Sequence, residues 1–201
     1  MKKEFLPYDV VRNNALKLAK RIYDEGFVPD VIYVSLRGGA YMGNVISEYF
    51  KILQKPEHRP VYYAAVVARS YTGVRQSEEL IRVEGWTYDP AHLRVGDKVL
   101  LIDDIFDSGR TINHLAQIIV DRGIPRDDLK VAVHDYKYFY DAPKQLPIQP
   151  DYWCRKHELS LNDEPYWIHY MSHELVGLGK EELEENYYKH DPELRTVLDI
   201  L

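Results

Sequence analysis

Apolar runs alternate with stretches of helical spacing along most of this chain. Residues 8–26 place Val10, Val11, Ala15, Leu18, Ala19 and Ile22 on one helical face, with Asp9 as a cap and Gly26 as a stop. Val31 to Val34 reads as a short buried strand, and residues 40–53 as a helix with Met42, Val45, Ile46, Tyr49 and Phe50 inward. Residues 61–68, VYYAAVVA, form a strand by their valine and tyrosine content. Val99 to Ile102 is a further apolar run, and after it Ile112, Leu115, Ala116, Ile119 and Val120 fall on one helical face. Residues 129–135, LKVAVHD, make another buried strand, in which His134 reads as a packed residue and not as a base. Apolar strands separated by amphipathic helices predict an α/β fold: a parallel sheet flanked by helices, with right-handed crossovers and ligands at its carboxyl edge. Residues 68–98 are charged and poorly periodic, and a connection of that length is expected to be functional or mobile. Residues 180–201 read as a charged helical tail broken at Asp191-Pro192.

Two strand exits carry chemistry. The stretch from Val99 to Thr111, VLLIDDIFDSGRT, runs from apolar residues into Asp103 and Asp104, then Asp107, then Ser108, Gly109, Arg110 and Thr111. The last four residues open a helix, whose unpaired N–H groups and positive dipole end suit a phosphate. Ser108 and Thr111 add hydroxyl donors, and Gly109 allows close backbone approach. A carboxylate pair at a strand end can hold a sugar's vicinal hydroxyls, directly or through Mg²⁺, while the next turn holds the phosphate. The second exit is Ser35-Leu36-Arg37-Gly38-Gly39. Arg37 offers a planar fork for phosphate oxygens, and Gly38 and Gly39 free backbone N–H groups for the same purpose.

Composition narrows the field. The chain has 201 residues, 45% of them hydrophobic, enough for the core of one domain with a small appended part. Its formal net charge is −6, so no global basic field recruits nucleic acid, and an anionic substrate must be held by local donors and metal. The single cysteine, Cys154, excludes an internal disulfide and a cysteine zinc cluster. No apolar run reaches membrane length and the N-terminus lacks a signal-peptide core, so a cytoplasmic protein with no membrane partner is expected.

The stretch from Val99 to Thr111 resembles the ribose-phosphate motif of type I phosphoribosyltransferases, and residues 28–174 are similar to the purine branch of that family. The resemblance implies the type I fold with a small C-terminal hood: a core over about 8–140, a hood over about 141–178 and a tail over 179–201. It implies a Mg²⁺-dependent transferase that joins phosphoribosyl pyrophosphate to a 6-oxopurine, hypoxanthine, guanine or xanthine, in purine salvage. Asp103 and Asp104 would hold the ribose hydroxyls and metal, and Ser108, Gly109, Arg110 and Thr111 the 5′-phosphate. Asp107 would be the general base. Arg37, Gly38 and Gly39 would bind pyrophosphate, with a cis peptide between Leu36 and Arg37. Ser70 and Tyr71 match a lid-loop pair. Lys137, or more weakly Lys144, would read the 6-oxo group. In the segment EPYWIHYMSHE, residues 164–174, Trp167 would stack on the purine, Ile168 would offer backbone groups to its edge, and Glu174 would bind a second Mg²⁺ through water. His169 and His173 are not assigned to metal. A homodimer or homotetramer is expected.

Three other readings stand beside this one: a phosphoribosyltransferase for another base such as orotate or uracil, a regulator that senses phosphoribosyl pyrophosphate, and a receiver-like signalling module. Trp167-Ile168 argues against the first. Retention of Asp107 and an acidic charge argue against the second. The mid-chain position of the acid pair argues against the third.

Overall fold

A computed structural model of the protein describes residues 2–54, 59–72 and 79–198, with the side chains of 69–72 and 79–80 left aside. Two compact units emerge: Asp9–Asp163 forms one, and the residues up to Tyr8 together with those from Glu164 form the other. Among the described residues no helix is long and apolar enough to cross a membrane.

The larger unit is a six-stranded sheet in the order β4-β3-β2-β5-β6-β7. Its strands are β2 (Val31–Leu36), β3 (Tyr62–Thr72), β4 (Glu79–Trp86), β5 (Val99–Phe106), β6 (Leu129–Phe139) and β7 (Tyr152–Leu159). All neighbours run parallel except β3 and β4. The strands read as continuous apolar runs because both faces are covered. On one face, Ala15, Leu18 and Ile22 of α1 (Tyr8–Asp24) and Met42, Ile46 and Phe50 of α2 (Ala40–Ile52) pack on Ile32, Val34, Leu100 and Ile102. On the other, Ile112, Leu115, Ala116 and Ile119 of α3 (Arg110–Asp121) pack on Val31, Tyr33, Val99, Leu101 and Val131. Successive strand residues thus enter opposite cores.

The connection expected across 68–98 is instead largely structured. β3 continues to Thr72, and β4 returns beside it. From Ile81 to Glu84 the side chains alternate between half-buried and exposed. Val83 and Trp86 reach the core, so β4 has the period of an antiparallel strand with one wet face. Residues 73–78 lie outside the described residues.

The smaller unit holds β1 (Lys2–Leu6), which pairs in parallel with β8 (Tyr166–Tyr170). It also holds two short helices, α4 (Lys180–Leu183) and α5 (Leu194–Val197), with a π-helical turn, Glu184–Tyr188, between them. The sequence placed a hood over 141–178. The structure assigns β7 to the main sheet beside β6, and it joins the N-terminal residues to the segment after Glu164.

A buried polar network ties β6, β7 and α1 together. The fully buried Asp135 accepts from Arg155 Nε and contacts His157 Nε2, each 2.6 Å from Oδ1, and its Oδ2 lies 2.7 Å from His134 Nδ1. His134 in turn reaches Asn14 Nδ2 of α1 at 3.1 Å. Burial alone would raise the Asp135 carboxyl, but the hydrogen bonds from His134, His157 and Arg155 outweigh it and hold the group below the ordinary carboxylate range. A depressed carboxyl stabilises the fold fully above its unfolded pKa, and that contribution falls away as the pH drops further. Asp135→Asn should therefore cost roughly 3–5 kcal/mol in urea unfolding at neutral pH, because it strands the Arg155 charge. The gap between variant and wild type should narrow below about pH 4, where the unfolded carboxyl takes up its proton. A gap that stayed constant with pH would show that the ionised carboxylate is not what stabilises the fold.

Candidate active site

Three strand ends of the larger unit build the site. β5 does not stop at the apolar run but continues to Phe106, so Asp103 and Asp104 are strand residues. They stay hydrogen-bonded locally: the Asp104 N–H donates to Asp103 Oδ1 at 3.0 Å, and the Ile105 N–H to Asp104 Oδ1 at 2.8 Å. Asp103 keeps some exposed surface, yet its carboxylate is desolvated. Burial, and then the neighbouring Asp104 charge, push it well above the usual carboxylate range, with a hydrogen bond from Ser35 opposing.

The exit of β2 closes against this pair. The Leu36–Arg37 peptide is cis, as the family resemblance implied. A Cβ at Gly38 would lie 2.3 Å from the Asp104 carboxylate. One at Gly39 would meet the Ile102 and Ser35 carbonyl oxygens at 2.8 and 2.9 Å. Neither position has room for a side chain unless backbone or the acid pair moves. Arg37 is exposed at the rim.

After Phe106 the chain turns into α3. Asp107 and Ser108 are exposed, and Gly109 takes a left-handed conformation with φ +71° as the cap residue. A Cβ there would strike the Phe106 ring at 2.1 Å, so glycine is required twice over, by conformation and by contact. Asn113, which the sequence did not single out, locks this turn. Its Nδ2 donates to the Gly109 and Ile148 carbonyls at 3.0 and 2.7 Å, and its Oδ1 accepts from the Ile148 N–H at 2.9 Å. Arg110 and Thr111 begin the helix.

β6 supplies the last element. It runs past residue 135 to Phe139, so Lys137 is a buried strand residue and not one that follows the strand. Its ammonium lies 3.2 Å from Asp107 Oδ1. Lys144 is exposed on the following loop. The Asp135–Arg155–His157 cluster was also missed: Asp135 precedes Lys137 by two residues on β6, and His157 is in register with Lys137 on β7. No sequence signal marked that cluster, since its members lie on two strands that a long loop separates.

The structure thus brings Arg37, Gly38, Gly39, Asp103, Asp104, Asp107, Ser108, Gly109, Arg110, Thr111 and Lys137 to strand ends of one unit. Ser70 and Tyr71, expected in a lid, lie on β3 opposite Ile81 and Leu80, and their side chains fall outside the described residues. Trp167, Ile168 and Glu174 belong to the smaller unit, where Trp167 is 44% exposed and Ile168 is buried. Among the described residues, no group of three or more His, Cys, Asp or Glu side chains is arranged to hold a metal.

A model of the phosphoribosyl transferase domain matches residues 8–134, more than half of the chain. The chain belongs to the phosphoribosyltransferase family. Among solved structures, this phosphoribosyltransferase is similar to a purine phosphoribosyltransferase from Pyrococcus horikoshii Ot3, at 20% identity over 90% of this chain and 99% of that one, with a TM-score of 0.65. It is similar to a hypothetical protein from Neisseria gonorrhoeae with bound ppGpp, at 20% identity over 87% and 91%, TM-score 0.63. It also resembles a xanthine-guanine-hypoxanthine phosphoribosyltransferase from Helicobacter pylori, at 19% identity over 94% and 99%, TM-score 0.55. At these identities the likeness is one of fold. The search of curated proteins found no match.

Because the fold favours the protonated Asp103, its stabilising effect is present at low pH and is lost as the pH rises and the group must ionise. At neutral pH, Asp103→Asn should stabilise the ligand-free phosphoribosyltransferase by roughly 0.5–2 kcal/mol in thermal or urea unfolding. A destabilised variant would show that the acid pair is not under electrostatic stress.

Proposed function

We propose that this phosphoribosyltransferase acts on a 6-oxopurine, converting it and phosphoribosyl pyrophosphate to a nucleoside monophosphate and pyrophosphate. The observation that supports this best is the 3.2 Å contact between Asp107 and Lys137. It joins a side chain of the turn after β5 to one of β6, which the family resemblance assigned to proton transfer and to reading the 6-oxo group. The purine names among the similar structures point the same way.

In this reading the α3 N-terminus, with Ser108, Gly109 and Thr111, holds the 5′-phosphate through backbone and hydroxyl donors. Asp103 and Asp104 hold the ribose hydroxyls. Arg37 and the backbone of Gly38 and Gly39 bind the pyrophosphate. The purine N9 attacks C1′ as the C1′–pyrophosphate bond breaks, and charge builds up on the leaving oxygens, where Arg37 stabilises it. Asp107 takes the proton from N7, which keeps the ring neutral as the new C–N bond forms. Lys137 has only donors, so it suits a 6-oxo and not a 6-amino group. Trp167, in the smaller unit, is the residue that the family resemblance assigned to stacking on the purine.

A Mg²⁺ ion fits the donor chemistry here: two hard carboxylates whose mutual repulsion a cation would relieve, with the remaining positions left to substrate oxygens and water. Asp103 and Asp104 would hold it, and it would supply charge neutralisation for the pyrophosphate.

The test is nucleotide formation from a panel of bases with phosphoribosyl pyrophosphate and Mg²⁺. We expect turnover with hypoxanthine, guanine or xanthine and little with adenine, orotate or uracil. Asp107→Ala should lower turnover by roughly 10²–10⁴-fold with circular dichroism unchanged. Binding of phosphoribosyl pyrophosphate with no nucleotide from any base would favour a regulatory role instead.

A further inference from the structure

Resting on the purine-binding reading above, we propose that Glu174 is a positioning residue for Trp167, holding the indole so that its ring face is offered to the base. The observations all lie within the smaller unit. After β8 the chain turns back at once: the N–H groups of His173 and Glu174 both donate to the Tyr170 carbonyl, at 3.1 and 2.9 Å. The turn returns the Glu174 carboxylate to the strand that the chain has just left. There its Oε2 accepts from the Trp167 indole Nε1–H at 3.1 Å and from the Tyr170 N–H at 3.2 Å. The same oxygen lies 3.4 Å from His169 Nδ1. Trp167 and His169 are two apart on β8 and so share a face, which lets one carboxylate reach both. His169 is fixed from its other nitrogen by the Tyr187 hydroxyl at 2.9 Å.

Trp167 is 44% exposed, so burial does little to select its rotamer. Its indole has a single hydrogen-bond donor, and Glu174 holds it. With the ring edge tied down, a face of the ring is left to stack, and stacking does not depend on the identity of the base. A cation on Glu174 would compete for the oxygen that these donors use. All three contacts use Oε2, so a cation on that oxygen would displace the indole tether.

Proton–nitrogen NMR of the ligand-free protein reads the tether directly. The Trp167 indole resonance is assigned by its loss in W167F. In E174A it should move upfield as its acceptor disappears, and in E174Q, which keeps an acceptor oxygen, it should stay near the wild-type position. In steady-state assays, E174A should raise the KM for hypoxanthine roughly tenfold, the effect of one charge-assisted hydrogen bond. Its KM for phosphoribosyl pyrophosphate and its Mg²⁺ activation midpoint should not move. E174Q should recover most of the lost base affinity. An indole resonance unmoved in E174A overturns the tether. So does an E174Q variant as impaired as E174A with a raised Mg²⁺ requirement, since the charge would then be serving metal. If the wild type forms no nucleotide from any base, it is the proposed function that fails, and the NMR result still decides whether Glu174 holds Trp167.

Discussion

The rest of the larger unit's site depends on a contact that only glycine permits: the backbone of Gly38 and Gly39 lying directly against the acid pair of β5. Gly38 sits on the Asp104 carboxylate, and Gly39 is enclosed by the carbonyls of Ser35 and Ile102. Two strand ends thereby become one object. The loop that follows β2 cannot come closer to β5 without displacing Asp104, whose Oδ1 accepts from the Ile105 N–H. The same device recurs one turn later, where Gly109 rests on the Phe106 ring and lets α3 start close to the end of β5. Close packing makes such contacts intolerant of even one added carbon.

This tight packing carries an electrostatic cost that the fold manages locally. The chain is acidic overall, with a net charge of −6, and its site gathers Asp103, Asp104 and Asp107 within a few residues. Of these, Asp107 has the Lys137 ammonium beside it, while Asp103 carries the burden of desolvation and of its neighbour's charge. On the same strand as Lys137, Asp135 shows the opposite outcome. It is fully buried, yet three donors converge on it and keep its charged form favoured. Whether a buried carboxylate is strained or satisfied follows from the donors around it, not from burial itself.

The smaller unit works by a different economy. Its β1–β8 pair is only two strands, too little to be stable by ladder hydrogen bonds alone. Polar ties supplement it: Lys3 bonds Glu182 at 2.7 Å, and Glu174, His169 and Tyr187 link strand, turn and helix. Phe5 adds a ring contact to His169 at 4.8 Å.

The sequence by itself determined most of the sheet and which polar residues and glycines lie at the ends of its strands. Strands buried on both faces appear as apolar runs, and glycines and acids at their ends stand out by contrast. That is why β2, β5, α3, the acid pair and the glycine loop were legible. The pattern could not show β4, because an antiparallel edge strand has one wet face and reads as a charged loop. It could not show β1, whose five residues become a strand only by pairing with β8, far along the chain. Nor could it show Asp135 with Arg155 and His157, Asn113 with Ile148, or Lys137 against Asp107, for each joins residues from separate elements. Local periodicity records which side of an element is buried. Which polar groups meet there is decided only when the elements are packed together.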